Sequence, residues 1–151
     1  MTKICLVCSH GGHFTEMMQL VKAFEHSNYF FATYRSEATK NLENAYFLEF
    51  KDWNLKGKIL QIKNLTKISF ILLKERPDII VTTGGGEIAV PFCYIGKLLG
   101  SKVIFIETLA RITTPSGGGK LVYHISDLFL VQWESLLPKY GTKAKYWGRI
   151  I

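Results

Sequence analysis

The chain has 151 residues, about one domain's worth, and its 48% hydrophobic and 21% charged residues exclude a disordered polymer and allow an ordinary core. A formal net charge of +7 favours anionic partners, whether phosphates, acidic lipid, nucleic acid or acidic protein, without selecting among them. No apolar stretch approaches the ~20 residues of a membrane span, no secretory signal precedes the first apolar run, and three cysteines do not make a disulfide framework; the expected location is the cytoplasm, with attachment to a membrane surface still open.

In chain order, "KICLVCS" (3–9) is a continuous apolar run ending in glycines and reads as a buried strand. Phe14, Met17, Met18, Val21 and Phe24 then recur at helical spacing. "YFFATY" (29–34) and "AYFLEF" (45–50) are aromatic-rich strands. A helical pattern covers 56–74 until Pro77 stops it, and "DIIVTT" (78–83) is the next strand. "GGGE" leads into an apolar helix with Pro91 expected in its first turn. "KVIFIE" (102–107) is a fifth strand, 108–119 a loop, 120–125 a short helix and "LFLVQW" (128–133) a sixth strand. Strands apolar on both faces and alternating with helices predict one α/β domain over 1–151, a Rossmann-like doubly wound parallel sheet. In such sheets ligands bind outside the carboxyl ends of the strands.

Three glycine-bearing stretches fall at that edge. Gly11-Gly12-His13 feeds a helix, whose unpaired N–H groups and dipole favour an anion; it lacks the G-x-G-x-x-G pattern of a dinucleotide site. Gly84-Gly85-Gly86-Glu87 repeats the arrangement after the fourth strand, with Glu87 able to hold a sugar hydroxyl. "PSGGGK" (115–120) fails as a P-loop, because Thr114 and Leu121 stand where Gly and Ser or Thr are required. A mobile glycine loop is its plain reading, and Lys120 on a phosphate the sharper one. Glu107 could act as base or sugar ligand and Arg111 could hold a phosphate, or the two could pair with each other. Cys5 and Cys8, three residues apart in a strand, face opposite ways and read as core residues rather than a redox pair. A zinc set of Cys8, His10 and His13 lacks a fourth ligand, so no metal and no cofactor are expected. Lys56, Lys63, Lys67 and Lys74 fall within a ~40° stripe of one helix, whose other faces are mostly apolar: Ile59, Ile62, Leu65, Ile68 and Leu72. That pattern suits either a packed helix with a solvated edge or one lying on anionic lipid.

"SHGGHFTEMMQL" resembles the S-x-GGH-x-x-E-M/I-x-x-L opening of the Alg-fourteen/PssD family, and "IETLARITTPSGGGKLVYHISDLFLVQWESLLPKYGTKAKYWGRII" resembles its E-S-x-x-R, S-x-x-GK, SD-x-F-x-VQW and Y-x-GR-I elements in order. The departures are Thr108, where the family has Ser, and Gly117-Gly118. The resemblance implies the amino-terminal half of a GT-B glycosyltransferase such as MurG, active only with a separate Alg-thirteen or PssE-like polypeptide that holds the UDP-sugar. This half would bind a lipid-diphosphate saccharide and bring the pair to the inner face of the cell membrane. The chain begins at its first strand, without the anchor of the eukaryotic form, which implies the bacterial type of capsule or exopolysaccharide assembly. On that reading Gly11, Gly12, Gly85, Gly86, Arg111 and Lys120 hold the acceptor's phosphates, and His13 or Glu107 takes the proton from the attacking hydroxyl. Two other readings remain: a non-catalytic stabiliser of a partner transferase, and a self-sufficient small α/β enzyme. No nucleic-acid module is recognisable.

Overall fold

The computed structural model describes residues 1–50 and 55–150. The elements are β1 (Lys3–Cys8), α1 (Gly12–Leu20), β2 (Asn28–Tyr34), β3 (Ala45–Leu48), α2 (Leu55–Glu75), β4 (Ile79–Gly84), α3 (Gly86–Leu98), β5 (Lys102–Ile106), α4 (Gly117–Tyr123), β6 (Leu128–Val131), α5 (Leu137–Tyr140) and β7 (Ala144–Tyr146). Among the described residues the strands form one sheet in the order β3-β2-β1-β4-β5-β6-β7, parallel throughout. The chain winds outward from β1 to β3, then returns to the other side of β1. The switch of direction therefore lies between β1 and β4, where both glycine turns emerge.

Alternation of side chains splits the core into two layers. Cys5 and Val7 face α2, α3 and α4, joining Ile68, Ile71, Phe92, Phe105, Val122 and Phe129. Ile4, Leu6 and Cys8 face the other way, against Met17 of α1, so Cys5 and Cys8 do point to opposite faces. Burial pushes the thiols of Cys8 and Cys93 up to about 12, leaving them as small apolar fillers. The covering is uneven. The helices α2, α3, α4 and α5 lie on one face, whereas α1 and the 3-10 turn after it lie on the other, where Ile104 and Leu130 stay only partly buried.

Several elements differ from their sequence-based expectation. β7 is a seventh strand, three residues long and too short for a periodic signal. Pro91 is the sixth residue of α3 rather than part of its first turn. Its ring nitrogen carries no proton to donate to the Glu87 carbonyl four residues earlier, at an exposed position of the helix. The Gly117-Gly118-Gly119 triplet opens α4 instead of forming a mobile loop. Lys143 closes the far end of that helix, its ammonium donating to the carbonyls of Tyr123, His124 and Ser126 at 3.0, 3.0 and 2.9 Å.

The α2 face turned to solvent carries an apolar strip interrupted by Thr66: Ile62, Phe70 and Leu73 are 66, 63 and 55% exposed, and Leu65 joins them. Lys63, Lys67 and Lys74 flank this strip, Lys67 donating to the Phe47 carbonyl at 2.6 Å. Lys56 and Ile59 lie outside the described side chains.

Two carboxylates tie crossovers to the sheet. Glu75, at the end of α2, accepts from the Lys3 ammonium and the Tyr46 hydroxyl, which hold it below its ordinary value. For Asp127 burial pushes upward, but the Lys97 ammonium at 2.7 Å and the Val103 N–H at 2.7 Å outweigh it, and its carboxyl is also lowered. A carboxyl lowered by folding stabilises the protein above its unfolded value and loses that contribution as pH falls through the folded one. Melting temperature is therefore expected to hold from neutrality down to roughly pH 4, the ordinary carboxylate range, and to drop below it. In Glu75→Gln the acid limb should be shallower when followed by circular dichroism.

Candidate functional site

The site begins with backbone. α1 and α3 start from Gly11 (φ 79°) and Gly85 (φ 89°), neither with a side-chain cap. Both helix starts stand at the carboxyl edge of the sheet beside the switch point, which puts the positive ends of two helix dipoles there. The two turns touch: a Cβ on Gly85 would fall 2.5 Å from the Ser9 Cβ. Gly86 in turn lies against Gly118 at the start of α4, where an added Cβ would meet the Gly86 Cα at 3.2 Å.

His13 stands between these turns, and a sheet irregularity puts it there. Pairing of β1 with β4 runs Val7 to Thr82 and then Cys8 to Gly84, skipping Thr83. The skipped residue turns both its polar groups to α1. Its carbonyl meets the His13 Nδ1 at 2.7 Å, and its hydroxyl donates to the His13 carbonyl at 2.8 Å. A carbonyl oxygen can only accept, so Nδ1 carries the proton, and the neutral ring presents a lone pair at Nε2. The imidazole lies over Gly84, where a Cβ would come within 2.8 Å of Cε1. The ring is partly buried rather than sealed.

Glu107 is placed very differently. It is 1% exposed. Its Oε1 accepts from the Thr108 N–H at 3.0 Å, and its Oε2 from the Ser116 N–H at 3.0 Å and from the Tyr140 hydroxyl. Tyr140 is held by an aromatic cluster in which Phe105 stacks on Phe129 at 5.0 Å and Phe129 meets Tyr140 at 4.5 Å. Burial, and then the Glu107 carboxylate, push the Tyr140 phenol well up, so it stays a donor. Ser116 caps α4 by accepting from the Gly119 N–H at 2.9 Å. Glycine is required at 119, since a Cβ there would lie 2.7 Å from the Glu107 Oε2 and overlap the Tyr140 hydroxyl. The carboxylate thus anchors the 108–116 loop and the start of α4.

A second carboxylate has no counterpart among the candidates read from the sequence. Glu16, three residues beyond His13 on α1, accepts from the Thr108 hydroxyl at 2.7 Å, the Leu109 N–H at 3.2 Å and the Gln132 amide at 2.9 Å. Gln132 also donates to the Glu107 carbonyl at 3.0 Å and accepts from the Ile150 N–H at 2.7 Å. The Trp133 indole donates to the Leu109 carbonyl at 2.7 Å, and the Arg149 guanidinium lies 3.7 Å over that ring. Glu16 and Gln132 both stand inside the quoted motifs, and that recurrence was the available signal.

Arg111 and Lys120 are exposed on the loop and on α4. Among the described residues no ion pair joins Arg111 to Glu107, whose oxygens are already occupied. Among the described residues there is also no group of three His, Cys, Asp or Glu side chains placed to hold a metal ion. The structure thus places the Gly11-Gly12-His13 and Gly84-Gly85-Gly86 turns side by side at the switch point, with Glu107 buried.

A family model described as "Oligosaccharide biosynthesis protein Alg14 like" matches residues 55–150. The UDP-N-acetylglucosamine transferase subunit ALG14 of Homo sapiens is 31% identical, over 98% of this chain and 82% of that protein. The chain belongs to the Alg14-like family. Its fold is shared with MurG of Acinetobacter baumannii (TM-score 0.78, 12% identity, 97% of this chain and 45% of that one). It is shared as well with a UDP-GlcNAc 2-epimerase of Methanocaldococcus jannaschii (TM-score 0.74, 17% identity, 98% and 46%). This Alg14-like chain thus spans just under half the length of either structure. Among its described residues no helix is long and apolar enough to cross a membrane.

Proposed function

We propose that this chain is the acceptor-binding subunit of a two-part glycosyltransferase that moves a sugar from a UDP-sugar to a lipid-diphosphate-linked saccharide. The observation that carries the reading is the crevice at the switch point. Two uncapped helix starts stand there beside a histidine whose Nδ1 is bonded to the Thr83 carbonyl, which leaves Nε2 outside that bond. Gly11, Gly12, Gly85 and Gly86 hold the diphosphate through backbone N–H groups, with Arg111 and Lys120 as flanking charges. His13 Nε2 takes the proton as the sugar hydroxyl attacks the donor. Glu107, which the sequence left as a second candidate base, holds the loop that closes the crevice.

The donor sits in a separate Alg-thirteen or PssE-like subunit. The half-covered sheet face, with Ile104 and Leu130 partly exposed, offers apolar surface for such a partner. The exposed apolar strip of α2 with its flanking lysines suits an anionic membrane surface on the cytoplasmic side. Resemblance to the PssD type makes capsule or exopolysaccharide the proposed product. A chain that merely stabilised a partner would leave His13 idle, and replacing that residue separates the two readings.

Calorimetric titration of the purified chain tests the assignment of substrates. Saturable binding of a water-soluble lipid-diphosphate saccharide is expected, with UDP-sugar binding far weaker. The reverse order of affinities overturns the proposal.

A further inference from the structure

His13 and Glu16 stand about one turn apart on α1 and so share a face of that helix. Met17 beside them is fully buried, which sets the face against the sheet. The two polar side chains reach different strands. His13 meets the Thr83 carbonyl of β4 at 2.7 Å. Glu16 meets residues that closely follow β5 and β6: its Oε1 accepts from the Thr108 hydroxyl at 2.7 Å and the Leu109 N–H at 3.2 Å, and its Oε2 from the Gln132 amide at 2.9 Å. Since β4, β5 and β6 are consecutive in the sheet, one helical face ties the carboxyl ends of three neighbouring strands together.

The bonds of Glu16 set direction rather than balance charge. Among the described residues no ion pair involves it, and its three donors are neutral. Thr108 and Gln132 are themselves buried. The Gln132 amide cannot turn over: its Nε2 also donates to the Glu107 carbonyl at 3.0 Å, and its Oε1 accepts from the Ile150 N–H at 2.7 Å. Glu16 therefore has fixed partners on both oxygens. Together with the Thr83 contact it holds α1 at two points, so the helix can neither roll nor slide without breaking one of them.

We infer that Glu16 is a positioning residue, which holds α1 so that the His13 Nε2 is aimed at the attacking hydroxyl. This rests on the reading of His13 as the base, and adds to it the side chain that keeps the ring in place. Glu16 acts through His13 and touches no reacting atom. Displacing a catalytic group by about 1 Å can cost about 10²-fold in rate, so a small movement of α1 is enough to be measured.

The test is a double-mutant cycle on the full chain mixed with a donor-binding subunit, assayed with UDP-N-acetylglucosamine and a water-soluble lipid-diphosphate saccharide. In Glu16→Gln the new NH2 group must face either the Gln132 NH2 or the Thr108 hydroxyl and Leu109 N–H. One set of bonds is lost either way, while the shape and one acceptor oxygen remain, so circular dichroism should show the variant folded. Its kcat is expected to fall roughly tenfold, as for a slightly misplaced group, with the acceptor KM moving far less. In a His13→Ala background the same change should alter kcat by no more than about twofold, because its effect runs through the ring already removed. Thr108→Val takes one donor away from the loop side and should lower kcat likewise; Thr108→Ser, which keeps the hydroxyl, should restore it. A fall of equal size in both backgrounds, or no fall in Glu16→Gln, overturns the positioning role and leaves His13 as the base. An unchanged kcat in His13→Ala alone removes the base reading and this assignment with it.

Discussion

His13→Ala, assayed with a donor-binding subunit, is expected to lower kcat by about 10²–10⁴-fold, the usual contribution of a positioned general base. The acceptor KM should move far less, because the proposed diphosphate contacts come from the backbone of Gly11, Gly12, Gly85 and Gly86. The reason for so large an effect is preparation of the ring. The Thr83 carbonyl fixes the proton on Nδ1, and Gly84 leaves room for the imidazole, which a Cβ there would meet at 2.8 Å. The fold should tolerate the change, since the Thr83 hydroxyl bonds the backbone carbonyl at 13 and not the side chain. An unchanged kcat would remove His13 from the chemistry.

Glu107→Ala is expected to act through stability. It removes the acceptor of the Thr108 and Ser116 N–H groups and of the Tyr140 hydroxyl, the first bond buried and the other two partly buried. A buried donor left unsatisfied costs roughly 1–3 kcal/mol. Three such donors that relax together should cost about 3–5 kcal/mol, read as a lower midpoint in urea. Glu107→Gln keeps one acceptor oxygen, so it should lose less stability and retain most of its turnover. A Gln variant as stable as the unchanged chain but as inactive as His13→Ala would make Glu107 the base instead.

The sheet was legible because buried parallel strands write themselves as unbroken apolar runs. The three-residue spacing of Cys5 and Cys8 even told the two faces apart. The glycine triplet at 117–119 misled because glycine is a poor helix former. What overrides that preference is tertiary: the Ser116 cap, the close approach to Gly86, and the Glu107–Tyr140 pair that leaves no room for a larger residue. Local sequence carries none of these. The bridge from Glu16 to Gln132 spans 116 residues and comes into being only when β6 takes its place beside β5. The solvent face of α2 was hidden for another reason. Its apolar residues run almost all the way round the helix, so periodicity could not say which of them the sheet would cover.

The whole account turns on division of labour between two polypeptides. The most direct measurement is sugar transfer from a UDP-sugar to a lipid-diphosphate acceptor in anionic vesicles, by this chain alone, by a donor-binding subunit alone and by the two mixed. The account predicts transfer only in the mixture, with this chain drawing its partner onto the vesicles. Transfer by this chain on its own would contradict it.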